Sequence, residues 1–147
     1  VDVPIAADES IRRAEDPFRV VALDAADIAV LKVQPLGGVR ACLRIAEEIG
    51  LPVVVSSALE TSVGIAMGVA LAAALPELPY ACGLGSNSLL DGDVVTTPLV
   101  PVDGHLPVGR VEVDEDAFES VAADAETDAR WQSRLASVRA QRERVAR

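Results

Sequence analysis

The stretch Ile28-Ala29-Val30-Leu31-Lys32 consists of four apolar residues followed by the only lysine of the chain. Similar apolar runs precede a polar residue on either side, Val3–Ala7 before Asp8 and Pro52–Val55 before Ser56. The polar ends therefore fall at positions 8, 32 and 56, with a constant spacing of 24. Runs that are rich in Val and Ile and lack polar alternation are typical of parallel strands covered on both faces. The repeat predicts consecutive strand-helix units of one parallel sheet.

Helix-forming patterns occupy the intervals between these runs. They predict helices over Pro17–Leu23, Val39–Ile49 and Ser62–Leu75, and a fourth apolar run, Leu78–Cys82, leads into the glycine-rich segment Gly83–Ser86. Alternation of strand and helix at this period is typical of a (β/α) barrel, in which the carboxyl ends of the strands form the rim that carries the active site. Four such units amount to about half of an eight-stranded barrel.

Composition narrows the class of protein. The chain has 147 residues, of which 50% are hydrophobic and only 3% aromatic, and its formal net charge is −10. Few aromatic side chains and a negative charge disfavour binding to single-stranded nucleic acid or to phosphate backbones. The most apolar helix pattern, Ser62–Leu75, is shorter than the roughly 20 residues that span a bilayer. We expect an aliphatic core, no nucleic-acid partner and no membrane span.

The second part of the chain lacks the strand-helix repeat. We divide the chain into a half-barrel, residues 1–92, and an extension, residues 93–147, that packs on the barrel or on a capping region. Thr96–Val113 is rich in proline and predicts irregular structure, and Asp114–Asp116 is typical of a helix N-terminus. Arg130–Arg147 predicts a terminal helix whose arginines face solvent. The apolar face of that helix comprises Trp131, Leu135, Val138 and Val145.

The polar residues at the strand ends are the candidates for chemistry. Lys32 is the single lysine among twelve arginines, and it follows a buried strand. A lysine can be tuned to exchange protons near neutral pH, whereas an arginine stays charged. Asp8 ends the preceding strand, where it could form an ion pair or share a ligand with Lys32. Structural alternatives stay open, namely a lysine that extends from a strand end to solvent and an aspartate that caps a helix.

Hydroxyl and backbone N–H groups gather further along the same rim. Ser56, Ser57 and the segment Gly83–Ser86 supply them in an arrangement suited to a carboxylate. Cys42 and Cys82 lack the spacing of a metal or redox motif, which predicts packed, reduced thiols in a cytoplasmic protein. His105 lies away from the strand ends and is expected at the surface.

Three ordered motifs at the strand ends resemble the enolase superfamily. They are Ala7-Asp8-Glu9-Ser10, then Val30-Leu31-Lys32-Val33-Gln34-Pro35, then Ser56-Ser57-Ala58-Leu59-Glu60-Thr61-Ser62-Val63-Gly64. Within the superfamily the chain is similar to the muconate-lactonizing subgroup, and in particular to the actinobacterial o-succinylbenzoate synthases of menaquinone biosynthesis. The resemblance implies an α/β fold, the C-terminal half of an enolase-type (β/α)7β TIM-like barrel, followed by an irregular segment and helices.

The same resemblance implies roles for individual residues. Asp8 matches the third of three Mg²⁺ ligands, and Lys32 matches the lysine that stabilises the enolate in such synthases or acts as an acid/base catalyst in related racemases. The implied substrate is a small-molecule carboxylate, a succinyl-hydroxycyclohexadiene carboxylate that is dehydrated to o-succinylbenzoate. The residues that match the binding site of its succinyl carboxylate are Ser56, Ser57, Gly83 and Gly85.

The chain also departs from the superfamily pattern. With one lysine it contains no Lys-x-Lys base, and Asp8 is a single metal ligand. These departures predict the C-terminal half of an enzyme, inactive alone, whose first strand is an open edge. Other interpretations of the chain's function stay open. The chain could belong to an N-succinylamino acid racemase, a muconate cycloisomerase or a dipeptide epimerase; it could be a non-catalytic half-barrel that binds or assembles as a homo-oligomer, or a complete small α/β fold.

Overall fold

Three parallel strands form the central sheet of the computed structural model, which describes residues 2–145, with the backbone alone at Val145. The strands are β1 (Ala6–Ala7), β2 (Ile28–Lys32) and β3 (Val53–Ser56), in the spatial order β1-β2-β3. All five residues of β2 are buried, as expected for a central parallel strand that is covered on both faces. The structure thus confirms the predicted succession of parallel strands for these three runs.

The register of the sheet agrees only in part with the spacing of 24. β2 and β3 pair Lys32 with Ser56, an offset of 24 residues. β1 and β2 pair Ala7 with Ala29, an offset of 22, so Asp8 lies two positions below the level of Lys32. The long side chain of Lys32 must therefore reach back towards Asp8 for the two groups to meet.

Three helices connect and cover the strands, and each agrees with its prediction to within one residue. They are α1 (Asp16–Ala22), α2 (Val39–Ile49) and α3 (Ser62–Ala74). Gly38 and Gly50 flank α2 with φ angles of +107° and +67°. Glycine adopts positive φ without steric cost, so these two residues set the start and the end of α2.

The core between the sheet and the helices is aliphatic, as predicted. Cys42 lies inside the core and Cys82 packs against it, and both thiols are free. Burial raises the pKa of the Cys42 thiol to about 11, which is consistent with a packed, unreactive side chain. The largest core side chains that are almost fully buried are Ile11, Leu31, Leu36, Val55, Ile65 and Leu71.

The prediction of a fourth strand over Leu78–Cys82 is wrong. The only pairing in this region is an isolated parallel bridge between Ser56 and Gly83. Gly83 N donates to Val55 O at 2.9 Å, and Ser57 N donates to Gly83 O at 3.0 Å. Pro79 has no N–H to contribute, so the chain joins the sheet only at Gly83.

A 3-10 turn (Ser86–Leu89) follows the glycine-rich loop, and the extension contains α4 (Glu115–Ser120) and α5 (Ala125–Val145). The carboxylate of Asp114 accepts a hydrogen bond from Ala117 N at 2.8 Å, which confirms the predicted helix start. α5 begins five residues before the predicted Arg130, and residues 146–147 of that prediction lie outside the described residues. His105 is exposed, as predicted.

The apolar face predicted for α5 is not covered by the residues that the structure describes. Trp131, Leu135 and Val138 are each about half exposed, and the side chain of Val145 lies outside the description. None of the helices within residues 2–145 is long and apolar enough to cross a membrane.

Candidate functional site

Lys32 and Asp8 form a close ion pair at the carboxyl end of the sheet. β2 carries Lys32 to the rim, where the side chain is only 8% exposed, and Nζ lies 2.5 Å from Oδ1 of Asp8. Asp8 follows β1 directly, and the side chain is 44% exposed. A buried ammonium group requires such a partner, because removing an unpaired charge from water is costly. The structure thus brings together the two residues that the sequence placed at adjacent strand ends.

A second acid extends this pair. Oε1 of Glu9 lies 3.7 Å from Nζ of Lys32, and the other oxygen of Glu9 is paired with Arg12. Sequence reasoning did not single out Glu9, although the residue stands beside Asp8 in the same motif. Lys32 therefore faces two carboxylates, with Asp8 as the nearer one.

The residues predicted to bind a carboxylate are brought together in part. Oγ of Ser57 donates to Gly83 O at 3.0 Å, and Oγ of Ser56 lies 3.3 Å from the same oxygen. Because Lys32 is paired with Ser56 across β2 and β3, this cluster is adjacent to the ion pair. Gly85 lies further along the loop, where its carbonyl accepts from the backbone and hydroxyl of Ser88.

Glu60 is a buried acid at this rim that sequence reasoning also left out. The residue is 7% exposed, its Oε1 accepts from Ala58 N at 3.0 Å, and its backbone N–H donates to Ser86 Oγ at 3.3 Å. Burial raises the pKa of the Glu60 carboxyl, while the Ala58 N–H and the charge of Lys32 offset part of that rise. The sequence contained a signal for a residue at the rim, because Glu60 is an acid placed between the end of β3 and the start of α3, the most apolar helix.

The chain offers one good ligand for a divalent cation rather than a complete site. Mg²⁺ prefers oxygen ligands in near-octahedral geometry. Oδ1 of Asp8 is a buried carboxylate oxygen whose partner among the described residues is the ammonium group of Lys32. Within the part of the chain that the structure describes, no three His, Cys, Asp or Glu side chains gather in a group that could hold a metal ion. Asp8 is therefore suited to be one ligand of a metal site whose other ligands lie outside the described residues.

Comparison with known proteins decides the family. The family described as "Enolase C-terminal domain-like" matches residues 1–117. The chain belongs to this family. The resemblance inferred from the three strand-end motifs is therefore confirmed, together with the enolase-type α/β fold.

Curated relatives of this enolase C-terminal domain are o-succinylbenzoate synthases. The protein of that name from Thermobifida fusca (strain YX) is 67% identical over 147 residues, which is all of this chain and 45% of the relative. The Mycobacterium tuberculosis (strain ATCC 25618 / H37Rv) protein of the same name is 56% identical over 135 residues, 92% of this chain and 41% of the relative. The chain thus spans less than half the length of these relatives.

Solved structures of the muconate-lactonizing type share the fold. The muconate lactonizing enzyme from Pseudomonas putida aligns with a TM-score of 0.72 and 32% identity, covering 82% of this chain and 36% of that one. A probable mandelate racemase from Alicyclobacillus acidocaldarius aligns with a TM-score of 0.70 and 30% identity, covering 84% of this chain and 35% of that one. These matches support the enolase-type fold of the chain.

Proposed function

We propose that this enolase C-terminal domain supplies one half of the active site of an o-succinylbenzoate synthase. The observation that carries the proposal is the buried Lys32–Asp8 pair at the rim, in a chain that is 67% identical to a protein of that name. The reaction is the dehydration of a succinyl-hydroxycyclohexadiene carboxylate, which belongs to menaquinone biosynthesis. A cytoplasmic location is part of the proposal, and the free thiols of Cys42 and Cys82 are in keeping with it.

Lys32 is the proposed catalytic cation. Removing the proton next to a carboxylate creates an ene-diolate with two negative charges, and a fixed ammonium group in a water-poor site stabilises that charge. The low exposure of Lys32 provides such a site. Lys32 is also the only lysine present, so the Lys-x-Lys base that the superfamily resemblance implies would come from outside these 147 residues. Departure of the hydroxyl group as water then completes the reaction.

Asp8 is the proposed metal ligand of this half. A bound Mg²⁺ would add positive charge beside the substrate carboxylate. Asp8 also faces Lys32, and this contact keeps the carboxylate at the rim when no metal neutralises it. The remaining ligands would come from the other half of the barrel, because the described residues hold no complete site.

The distal carboxylate of the substrate is assigned to the cluster around Gly83. Oγ of Ser57 and N of Ser57 both donate to Gly83 O, so a bound carboxylate would compete with that carbonyl for the donors. Hydroxyl groups rotate at little cost, which makes Ser56 and Ser57 adaptable donors. Gly85 completes the proposed binding segment at the start of the following turn.

The proposal is tested with a chimera in which this chain replaces the matching part of the Thermobifida fusca protein. The chimera is assayed with the cyclohexadiene substrate, with N-succinylamino acids and with muconate. We expect dehydration to be the fastest reaction and to require a divalent cation. Faster racemisation or cycloisomerisation would replace the proposal with one of those activities. A well-folded dimer of the isolated chain, combined with an inactive chimera, would favour a non-catalytic half-barrel.

A further inference from the structure

Glu60 stands out as a buried acid to which neither the family motifs nor the proposed mechanism gives a role. The residue is 93% buried, and none of the ion pairs of residues 2–145 includes it. Burying a carboxyl group without a cationic partner is unfavourable unless hydrogen bonds compensate. The contacts that compensate here therefore indicate what the side chain does.

The side chain of Glu60 closes the turn that carries Ser56 and Ser57. Oε1 of Glu60 accepts from Ala58 N at 3.0 Å, across Leu59, whose φ is +68°. A left-handed backbone carries a steric cost for a residue other than glycine. The hydrogen bond to Ala58 N offsets that cost, so the turn depends on an acceptor at position 60.

The backbone of Glu60 joins this turn to the glycine-rich loop. Its N–H donates to Oγ of Ser86 at 3.3 Å, and Ser86 directly follows Gly85. Thus Glu60 contacts both segments that are assigned to the distal carboxylate. A displacement of Glu60 would move the two segments relative to each other.

The stem of Glu60 is wedged against the first turn of α3. A Cβ atom added to Gly64 would lie 2.6 Å from Cβ of Glu60 and 2.8 Å from Nε2 of Gln34. Gln34 follows Lys32 by two residues. The glycine at position 64 therefore leaves the space that the Glu60 stem occupies, next to the strand end that bears Lys32.

We infer that Glu60 is a positioning residue, which holds the Ser56–Glu60 turn and the Gly83–Ser86 loop in the geometry that binds the distal carboxylate. The inference rests on the proposed function. Glu60 touches neither the reacting atoms nor the substrate, and it acts through the backbone of the turn. Its loss should therefore weaken substrate binding more than it slows the chemical step.

The test compares Glu60→Leu and Glu60→Gln in the chimera, with Glu48→Leu as control, because Glu48 is an exposed acid on α2. Leucine cannot accept from Ala58 N, whereas glutamine keeps an acceptor oxygen and removes the charge. We expect Glu60→Leu to raise KM for the cyclohexadiene substrate at least 10-fold while kcat falls less than 3-fold. Glu60→Gln should restore KM to within 3-fold of the unsubstituted chimera, and Glu48→Leu should change neither constant.

Amide hydrogen exchange of the same proteins measures how firmly the Ser56–Glu60 turn is held in the absence of substrate. The inference predicts faster exchange at Ala58 in Glu60→Leu and wild-type-like exchange in Glu60→Gln. Equal losses in KM for both variants, a selective loss in kcat, or unchanged exchange at Ala58 would overturn it. An inactive unsubstituted chimera would instead show that the proposed function itself fails, and a wild-type KM in Glu60→Leu with an active chimera would refute only the positioning role.

Discussion

At the scale of single residues, the ion pair of Lys32 and Asp8 defines the proposed site. The sequence predicted that these residues end adjacent strands, because each follows an apolar run at the same spacing. It could not predict Glu9 or Glu60 as neighbours of Lys32, because both lie in loops whose conformation depends on tertiary contacts. The acidic surroundings of Lys32 are thus a property of the folded rim and not of one motif.

Replacing Lys32 by methionine should abolish turnover in the chimera and leave its fold intact. Methionine fills the space of the lysine stem, and Asp8, which is 44% exposed, can be hydrated once the ammonium group is gone. We expect kcat to fall by at least about 1,000-fold, the loss associated with removing a principal stabilising charge. Thermal unfolding of the same samples is the control, and near-normal kcat in Lys32→Met would refute the role of the lysine.

Alanine substitutions at Gly64 and Gly68, both in α3, test how closely the helix packs against its neighbours. Alanine in place of glycine within a helix usually stabilises by about 0.8–1 kcal/mol. At Gly64 the added methyl group would meet the Glu60 stem at 2.6 Å, whereas at Gly68 it would meet the end of the Leu84 side chain at 2.5 Å, where a rotation can make room. Urea unfolding should show that Gly64→Ala loses about 1–3 kcal/mol, and more than Gly68→Ala. A more stable Gly64→Ala variant would contradict the close packing around Glu60.

At the scale of secondary-structure elements, the sequence predicted the buried strands and their helices well. β2 and α2 have strong local patterns, an apolar run in one case and a glycine-bounded amphipathic period in the other. The run Leu78–Cys82 is equally apolar, yet it pairs only at Gly83 because proline and the sheet edge limit its hydrogen bonds. Apolar character did not predict burial here, because residues 78–81 are exposed and only Cys82 is partly buried. Backbone pairing depends on N–H donors, which an apolar pattern does not reveal.

The start of α3 depends on a carboxylate from the extension. Asp93 accepts from both N and Oγ of Ser62, at distances of 2.6–3.1 Å. Burial alone would raise the pKa of Asp93, but the hydrogen bonds from Ser62, Val94 N–H and Asn87 outweigh it and lower the pKa below the usual value. Asp93 is therefore ionised when folded, and its stabilising effect is fully present above about pH 4 and lost as the pH falls through its lowered pKa.

Asp93→Ala should accordingly destabilise the chain in a pH-dependent way. We expect a loss of about 1–3 kcal/mol at pH 7, because α3 loses its cap and the buried Ser62 loses its partner. The difference from wild type should shrink when urea unfolding is repeated near pH 3. Asp91→Ala, at an exposed acid two residues away, is the control. The same difference at both pH values would show that the charge of Asp93 is not what stabilises the helix.

At the scale of the whole molecule, two surfaces lack partners among residues 2–145. One is the edge of β1, where Val3 and Ile5 are 64% and 48% exposed. The other is the apolar face of α5, which lies beyond the family match of residues 1–117 but within the 147 residues matched by the Thermobifida fusca relative. The sequence predicted an open first edge correctly, but the covering of α5 cannot be found among the described residues.

Removal of α5 should leave the stability of the isolated chain almost unchanged. Residues 125–144 bury little surface, so truncation after Asp124 removes few stabilising contacts. We expect the free energy of unfolding in urea to change by less than about 0.5 kcal/mol, the range typical of exposed positions. A larger loss would show that α5 packs against the half-barrel in solution.

The most direct test of the central claim compares o-succinylbenzoate formation by three proteins: this chain alone, the remaining N-terminal part of the Thermobifida fusca protein alone, and the chimera that joins them. If the chain supplies Lys32 and Asp8 to an active site completed from elsewhere, the chimera turns over substrate and neither part does so alone. Turnover by the isolated chain, or an inactive chimera beside an active Thermobifida fusca enzyme, would contradict the account.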